Sequence, residues 1–474
     1  MNALPLSRRT ILQGGAALAL TTLARPVWSA AAPALTVASR QIEVLGRAAT
    51  VYGITDAAGG IGLNMAAGAR LSGALRNATD DALVMHWHGQ TRAPALQDRT
   101  RPGGGTLAAG AEDQHDFALT PGTHWMHSHG LSEQQLLAAP MICREDDATL
   151  PEAVIMLHDF AFRSPAEIAT ELGASKAHDM AAMGQQTAPA DGTAPMDGMA
   201  MGDMAMPGMV HANDVAYDAF LANDRSLSDP DVIAAEPGPM RLRIINGGTA
   251  TGFWITTGAL EAQVVAVDGA PCQPLTGRRF PLAQGQRIDL IVTLPASGGA
   301  FPILAEVEAA TARTGVILAT PGAAIARLSD QGALTENLDS RLDAVLRATQ
   351  GLAPRPADQM LHAALGMGPN YRWTINGAAL GEAPDMTAAL NSRVEIMFMN
   401  PTMMMHPMHL HGHHFQVVDL GQGRFAGPMR DTVIVAPGAM VTVAVDFDKV
   451  GSWYLHCHHL YHMAGGMMTA ITVA

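Results

Sequence analysis

Cysteine and long apolar runs are both scarce in this chain of 474 residues. Its three cysteines, Cys143, Cys272 and Cys457, allow at most one intramolecular disulfide. No stretch holds 18 uncharged apolar residues in a row, which argues against a helix that stays in a membrane. Neither a network of disulfides nor membrane helices therefore organise the chain.

Basic and aromatic residues are also few. Lysine and arginine number 29 against 43 aspartates and glutamates, for a formal net charge of -14. Such a surface argues against a nucleic-acid partner and suits a soluble protein or a cationic substrate such as copper. Aromatic residues make up 5% beside 48 glycines and 29 prolines, which favours an all-β protein with many turns. At about 150 residues per domain, the length predicts roughly three domains.

The densest array of potential metal ligands runs from His456 to Met467. A cysteine thiolate, two imidazoles and a weak axial thioether form the ligand set of a blue-copper electron-transfer site. Cys457, His462 and Met467 supply three of these ligands, and His406 is the candidate for the fourth. The pattern therefore predicts one complete copper site that draws on the C-terminal end of the chain.

Pairs of histidines separated by one residue recur along the chain. In an extended strand the side chains at i and i+2 share one face, about 6.6 Å apart, while the residue between them faces the other way. That span suits two metal ions about 3.5 to 4 Å apart. Four pairs supply three imidazoles for each of two coppers and two for a third. With the cysteine site this makes four coppers, matching the four electrons that convert O2 to two waters. The pairs are His86/His88, His127/His129, His409/His411 and His456/His458.

One of these pairs flanks Cys457, so the cysteine forms a covalent link between the two kinds of site. The four motifs resemble those of the multicopper oxidases, the family of laccases and bacterial cuprous oxidases. The resemblance covers nearly the whole chain and implies an all-β fold of three cupredoxin-like Greek-key β-sandwich domains, with the cluster between the first and the third. It also implies four copper ions: one type 1, one type 2 and two type 3. The implied ligands are His406, Cys457, His462 and Met467 for type 1, His86 and His409 for type 2, and His88, His127, His129, His411, His456 and His458 for type 3.

Arg8 and Arg9 precede a short apolar run and a patch of small residues near Ala30. This pattern is typical of a twin-arginine leader and predicts export to the periplasm by the twin-arginine machinery; an ordinary secretory leader is the alternative. The predicted divisions of the chain are 1–31 for the signal peptide, 32–150, 151–325 and 361–474 for the three domains, and 326–360 for a linker with one helix near 338–348.

The middle domain repeats the ligand-bearing strand and loop without its histidines. Residues 241–246 parallel residues 393–400, and Phe253 and Trp254 stand where ligands would be. The middle domain is therefore interpreted as a spacer, and copper is assigned to the first and third domains.

A stretch at 178–211 is rich in methionine, glycine, alanine and proline. Glycine and proline disfavour a long helix, and thioethers select Cu(I), so the stretch is interpreted as a loop that collects this ion. An apolar insertion without ligands is the alternative. Met404 matches a substrate-site methionine of the family, and packing of the strand near the copper is the other explanation for it. The candidate Cu(I) ligands are Met199, Met201, Met204, Met206 and Met404.

The predicted catalytic residues are Asp98 and Cys457. Asp98 resembles the family's acid that orients water and relays protons at the cluster; a solvated loop aspartate is the alternative. Where some cuprous oxidases carry a second acidic relay, this chain has Met463, and where an aspartate helps to bind Cu(I) it has Thr402. Electrons are expected to enter through His462 on an exposed loop and to cross Cys457.

The predicted function is a multicopper oxidase that couples one-electron oxidation of Cu(I), for copper tolerance, to the reduction of O2 to water. A laccase acting on phenols and a copper-sequestering protein without turnover are the alternatives. A copper-free scaffold of the same fold would need lost ligands, and none of the twelve is lost. Cys143 and Cys272 are expected to be buried thiols rather than a disulfide.

Overall fold

The computed structural model describes residues 34–145, 149–173 and 212–474. The predicted twin-arginine leader and the methionine-rich stretch lie outside these residues. Strands dominate the described part, so the predicted all-β class is confirmed. Within the same residues, no helix combines the length and the apolar character that crossing a membrane requires.

The first part of the chain folds into two four-stranded sheets. Its strands are β1 (Leu35–Val44), β2 (Arg47–Thr55), β3 (Leu63–Met65), β4 (Arg70–Asn77), β5 (Met85–His88), β6 (Glu112–Ala118), β7 (Gly122–Ser128) and β8 (Ala138–Cys143). The sheet orders are β2-β1-β4-β6 and β3-β8-β7-β5, and short 3-10 helices occupy Ala95–Gln97 and Leu131–Gln135. The strands β5 and β7, which carry histidine pairs, are buried along their whole length.

The middle part folds into a six-stranded and a five-stranded sheet. Its elements are β9 (Glu152–Phe160), α1 (Pro165–Glu171), β10 (Ala219–Ala222), β11 (Val232–Ala234), β12 (Gly238–Asn246), β13 (Phe253–Thr256), β14 (Ala262–Val267), β15 (Ala270–Gly277), β16 (Arg279–Leu282), β17 (Arg287–Leu294), β18 (Ala300–Val307) and β19 (Arg313–Ala319). The orders are β10-β9-β12-β17-β14-β15 and β11-β19-β18-β13-β16. The helix α1 begins at a capping box, in which Ser164 and Glu167 satisfy each other's backbone N–H.

The last part repeats this arrangement. Its elements are α2 (Arg341–Val345), β20 (Gln359–Gly368), β21 (Arg372–Ile375), β22 (Met386–Ala388), β23 (Ser392–Met399), β24 (His406–Leu410), β25 (Phe415–Asp419), β26 (Met429–Arg430), β27 (Thr432–Val435), β28 (Met440–Phe447), β29 (Gly451–Cys457), α3 (Leu460–Ala464) and β30 (Met468–Val473). The orders are β21-β20-β23-β28-β25-β26 and β22-β30-β29-β24-β27. The helix α2 lies where the sequence predicts one.

Neighbouring strands in these sheets are often distant in sequence, so connections pass between the two sheets of a part, as in Greek-key sandwiches. Each part buries its own apolar core, which includes Trp87 and Met126 in the first, Phe253 and Leu290 in the middle and Phe398 in the last. The domain boundaries given above stay a prediction.

Glu308 is a buried carboxyl group away from the histidines, and it provides a test of stability against pH. Its Oε1 accepts a hydrogen bond from the backbone N–H of Leu338 at 2.7 Å, and its Oε2 has no hydrogen-bond partner in the described part of the chain. Burial raises the pKa of Glu308 to about 7 from an ordinary 4.5. The folded protein therefore binds this proton more tightly than the unfolded chain, and stability falls as pH rises from 4.5 through about 7.

Glu308→Gln keeps the shape of the side chain and removes the charge. We expect the variant to be more stable than the parent at pH 8, by up to about 3 kcal/mol, and close to it at pH 4.5. Thermal unfolding of both proteins at the two pH values measures the difference. An equal change in Tm at both pH values would contradict the explanation from Glu308 ionisation.

Candidate metal centre

Eight histidines from the two ends of the chain meet in one buried cluster. The strands β5 and β7 are paired so that His86 lies opposite His127, and β24 and β29 are paired so that His409 lies opposite His456. All eight side chains belong to residues that are at most 3% exposed. The members of the cluster are His86, His88, His127, His129, His409, His411, His456 and His458. The two regions of sequence that the motifs assign to one site therefore lie together.

Ring nitrogens in this cluster face one another at short distances. The Nε2 atoms of His86 and His409 are 3.3 Å apart. The Nε2 atom of His456 lies 3.1 Å from that of His129 and 2.9 Å from that of His411. Where both facing nitrogens carry lone pairs they repel each other, and a cation between the rings would use both lone pairs.

The opposite side of several rings is held by hydrogen bonds. The Nδ1 atom of His409 donates to the carbonyl of Asp431 at 2.8 Å, and that of His456 donates to the carbonyl of Cys457 at 2.9 Å. A proton on Nδ1 leaves the lone pair on Nε2, the atom that faces the cluster. Burial lowers the pKa of His456 to about 3, so its ring stays neutral at physiological pH.

Several ring atoms of the cluster have no hydrogen-bond partner among the described residues. They include Nδ1 of His88, Nε2 of His127 and both nitrogens of His458. A buried polar atom without a partner costs about 1–3 kcal/mol, which a metal ligand recovers on binding its ion. Groups of three histidines here, such as His129, His411 and His456, bring their ligand atoms within 4.8 Å of one another. The donor set therefore fits metal ions.

A second site lies around Cys457, on the other face of β29. The Sγ atom is 3.5 Å from Nδ1 of His406 and 3.7 Å from Nδ1 of His462, and the two Nδ1 atoms are 3.2 Å apart. Met467 is fully buried in the same core, and its carbonyl accepts the N–H of Cys457. Burial raises the pKa of the Cys457 thiol, so a bound cation is needed to favour the thiolate.

Comparison with known proteins decides the family. Multicopper oxidase family models match residues 36–147, 180–332 and 353–474. The chain belongs to the multicopper oxidase family. It is therefore an oxidoreductase of a copper-containing class, and the resemblance that the motifs carry is confirmed.

Two relatives of this multicopper oxidase align with most of its length. The multicopper oxidase MmcO of Mycobacterium tuberculosis is 29% identical over 411 residues, covering 83% of this chain and 77% of that protein. A copper resistance protein A homolog of Pseudomonas syringae is 23% identical, covering 98% and 99%. The solved structure of a laccase from Botrytis aclada superposes with a TM-score of 0.73 at 22% identity, covering 93% of this chain and 87% of that one. The predicted cupredoxin-like fold is confirmed.

Asp98 lies against the histidine cluster of this multicopper oxidase. Its Oδ2 is 2.7 Å from Nδ1 of His86, and Thr100 donates from both its backbone N–H and its hydroxyl to Oδ1. Burial alone would raise the pKa of Asp98, but the contacts with His86 and Thr100 hold it below its ordinary value. The carboxylate is thus a held anion beside the cluster and not a solvated loop residue.

Sequence reasoning missed two further carboxylates that touch cluster histidines. Glu133 lies 3.1 Å from Nδ1 of His127, and Asp431 places Oδ1 3.1 Å from Nε2 of His88. Both acids are at most 2% exposed. The position of Glu133, just after the second histidine pair, was the available signal, whereas nothing local marks Asp431.

The interpretation of the middle domain as a spacer is incomplete. Arg287, at the start of β17, is fully buried and donates to both oxygens of Asp431 at 2.7 and 2.6 Å. It also donates to the carbonyl of Thr123 on β7 at 3.1 Å. Although no described residue of the middle part contributes a histidine to the cluster, this part provides a cation that holds a carboxylate touching His88.

The expectation that His462 lies on an exposed loop is wrong. His462 belongs to the short helix α3 and is fully buried. The indole of Trp373 lies over its ring with centroids 3.8 Å apart. Met463 is buried in an apolar cluster with Tyr454 and Leu460, where a charged relay would be desolvated. A motif that rests on strand spacing predicts neither a short helix nor an aromatic side chain that packs over the ring.

The candidate substrate methionines divide into two groups. Met404 is 8% exposed and packs in the same core as Cys457, whereas its neighbour Met403 is 59% exposed. The remaining candidates, Met199, Met201, Met204 and Met206, lie outside the described residues. Cys143 and Cys272 are buried free thiols, as predicted.

Proposed function

We propose that this multicopper oxidase couples the one-electron oxidation of Cu(I) to the four-electron reduction of O2 to water, for copper tolerance. The observation that carries the oxidase reaction is the position of Cys457. Its sulfur faces His406 and His462, and the residues on either side of it, His456 and His458, face the histidine cluster. One strand therefore joins the two sites by covalent bonds.

The donor sets support four copper ions, as predicted from the motifs. When bound, copper supplies one-electron redox chemistry at four centres, which balances the reduction of one O2. The proposed type 1 ligands are His406, Cys457, His462 and Met467; the proposed type 2 ligands are His86 and His409; the proposed type 3 ligands are His88, His127, His129, His411, His456 and His458.

The chain itself orients these ligands and excludes bulk water from them. Nδ1 of His406 and of His462 point to Cys457, while the hydroxyl of Thr402 lies 2.8 Å from Nε2 of His406 and fixes the ring. At the cluster, Oδ2 of Asp98 lies 2.7 Å from Nδ1 of His86 and is the proposed relay for protons that the reduction of O2 consumes.

Three observations support Cu(I) as the substrate. The methionine-rich stretch supplies soft thioethers, which select Cu(I). The net charge of -14 favours the approach of a cation. One relative that aligns over nearly the whole chain is a copper resistance protein A homolog. The likeness to a laccase structure supports phenol oxidation as the second candidate.

We also propose that the protein is exported to the periplasm. Arg8 and Arg9 ahead of a short apolar run support the twin-arginine route, which carries folded proteins. A route for folded proteins suits a chain in which ligands from both ends must meet before metal can be held.

Oxygen uptake separates the candidate functions. We expect the copper-loaded protein to consume O2 with Cu(I), and deletion of residues 178–211 to lower kcat/KM for Cu(I) about tenfold, about 1.4 kcal/mol of barrier. The same deletion should not slow the oxidation of 2,6-dimethoxyphenol, because a phenol does not need thioether ligands.

A length-matched variant controls for the deletion. It keeps residues 178–211 but replaces their methionines with leucine, so that only the thioethers are lost. If the deletion changes the rate of oxidation of neither Cu(I) nor the phenol, the Cu(I) proposal is wrong. Turnover of the phenol alone would favour the laccase, and copper binding without O2 uptake would favour sequestration.

A further inference from the structure

His459 is a buried histidine outside the twelve proposed copper ligands. It is the residue before α3 and lies three positions ahead of His462, so both rings project from the same side of the first helical turn. The two rings are stacked with centroids 3.7 Å apart and planes within 6°. His459 is therefore in face-to-face contact with a proposed type 1 ligand.

The polar atoms around this stack face one another without forming hydrogen bonds. Both ring nitrogens of His459, Nε2 of His462 and Oδ1 of Asp214 make no hydrogen bond within the described part of the chain, although His459 is only 1% exposed. Nε2 of His459 is 3.2 Å from Oδ1 of Asp214, and Nε2 of His462 is 3.6 Å from Oδ2. A nitrogen and an oxygen at 3.2 Å can both reach one metal ion at ordinary ligand distances of about 2.0–2.2 Å.

Asp214 is held in place by a hydrogen bond. Its Oδ2 accepts a hydrogen bond from the hydroxyl of Tyr371. Its side chain is 17% exposed, whereas His462 is fully buried, so Asp214 lies between solvent and the type 1 site.

We propose that His459 and Asp214 form an additional metal site that holds substrate Cu(I) next to His462. The inference rests on the proposed oxidation of Cu(I). Thr402 stands at the position where an aspartate helps to bind Cu(I) in the family. The Thr402 hydroxyl contacts Nε2 of His406, the other proposed type 1 imidazole. The substrate site is thereby assigned to the His462 side.

The ion gives one electron across the stacked rings to the type 1 site and leaves as Cu(II). Four such transfers, with four protons, convert one O2 to two waters. Asp214 also follows the methionine-rich stretch by three positions in the sequence.

Silver tests the site without turnover, because Ag(I) has the charge and softness of Cu(I) but does not reduce the copper centres. We expect the copper-loaded chain that lacks residues 178–211 to bind one Ag(I), measured by equilibrium dialysis and elemental analysis. His459→Leu and Asp214→Asn should each lower that affinity at least about tenfold. In the full chain, both variants should raise KM for Cu(I) by a similar factor with a smaller change in kcat.

His115→Leu is the matched control. His115 is also buried and also has two ring nitrogens without hydrogen-bond partners among the described residues, but it packs on Trp87 and Phe117. We expect the silver count and the KM for Cu(I) to stay as in the parent. The blue absorption of every variant reports whether the type 1 site has formed.

If both His459→Leu and Asp214→Asn bind Ag(I) as tightly as the parent does, with the blue absorption intact, the proposed metal site is wrong. Loss of silver with an unchanged KM for Cu(I) would overturn its assignment to the substrate. If the intact chain does not oxidise Cu(I), the proposed function fails, and the silver count then decides the metal site by itself.

Discussion

Replacing Cys457 with serine is expected to remove the intense blue absorption and to lower O2 uptake with any reducing substrate at least about 1000-fold, about 4 kcal/mol of barrier. A serine hydroxyl is a hard donor that stays protonated where a thiolate binds copper. It also lacks the sulfur through which the strand joins the site of His406 and His462 to the histidine cluster. Absorption spectroscopy and an oxygen electrode measure the two losses.

Two matched controls exist in the chain. Cys143→Ser and Cys272→Ser alter the other free thiols, which are buried and belong to none of the histidine motifs. Both variants should keep the blue colour and O2 uptake, even if they lose stability. Blue colour in Cys457→Ser, or its loss in either control, would contradict the assignment of the type 1 site.

Arg287→Met is expected to lower the free energy of unfolding by about 3–5 kcal/mol, because it leaves Asp431 buried without its cation. Asp431 is 1% exposed and receives two hydrogen bonds from Arg287. The same carboxylate touches His88, so the variant should also bind copper at the cluster about 10–100-fold more weakly. Urea unfolding of the copper-free protein and copper retention against a chelator measure the two effects.

The double variant Arg287→Met/Asp431→Asn separates an unpaired charge from lost packing. We expect it to recover part of the stability, because no buried charge is then without a partner. Arg225→Met is the surface control: Arg225 pairs with Asp229 in solvent, and its loss should change stability by less than about 1 kcal/mol. If Arg287→Met and Arg225→Met lower the free energy of unfolding equally, the buried pair does not hold the parts together.

The ligand chemistry was predictable because a strand alternates its side chains with a period of two. That local rule places His456 and His458 on the face opposite Cys457 without knowledge of the fold, and the structure has this arrangement. The same rule applies to the pair at His86 and His88. Spacing to His462 and Met467 then singles out a copper site.

The environment of the site was not predictable from spacing. The burial of His462 comes from Trp373 on the strand β21, and the contact of Asp214 with His459 joins positions 245 residues apart. Short helices such as α3 carry no strong pattern of their own. The prediction of an exposed loop failed for this reason.

By itself, the sequence determined which residues are candidate copper ligands and which faces of their strands they occupy, since both follow from side-chain chemistry and the local geometry of the backbone. Tertiary structure alone decided what surrounds them. Arg287 and Asp431 meet across 144 positions, and no local pattern encodes such a pair. Only the folded chain removes water from these groups, and that loss of water requires each buried charge to find a partner.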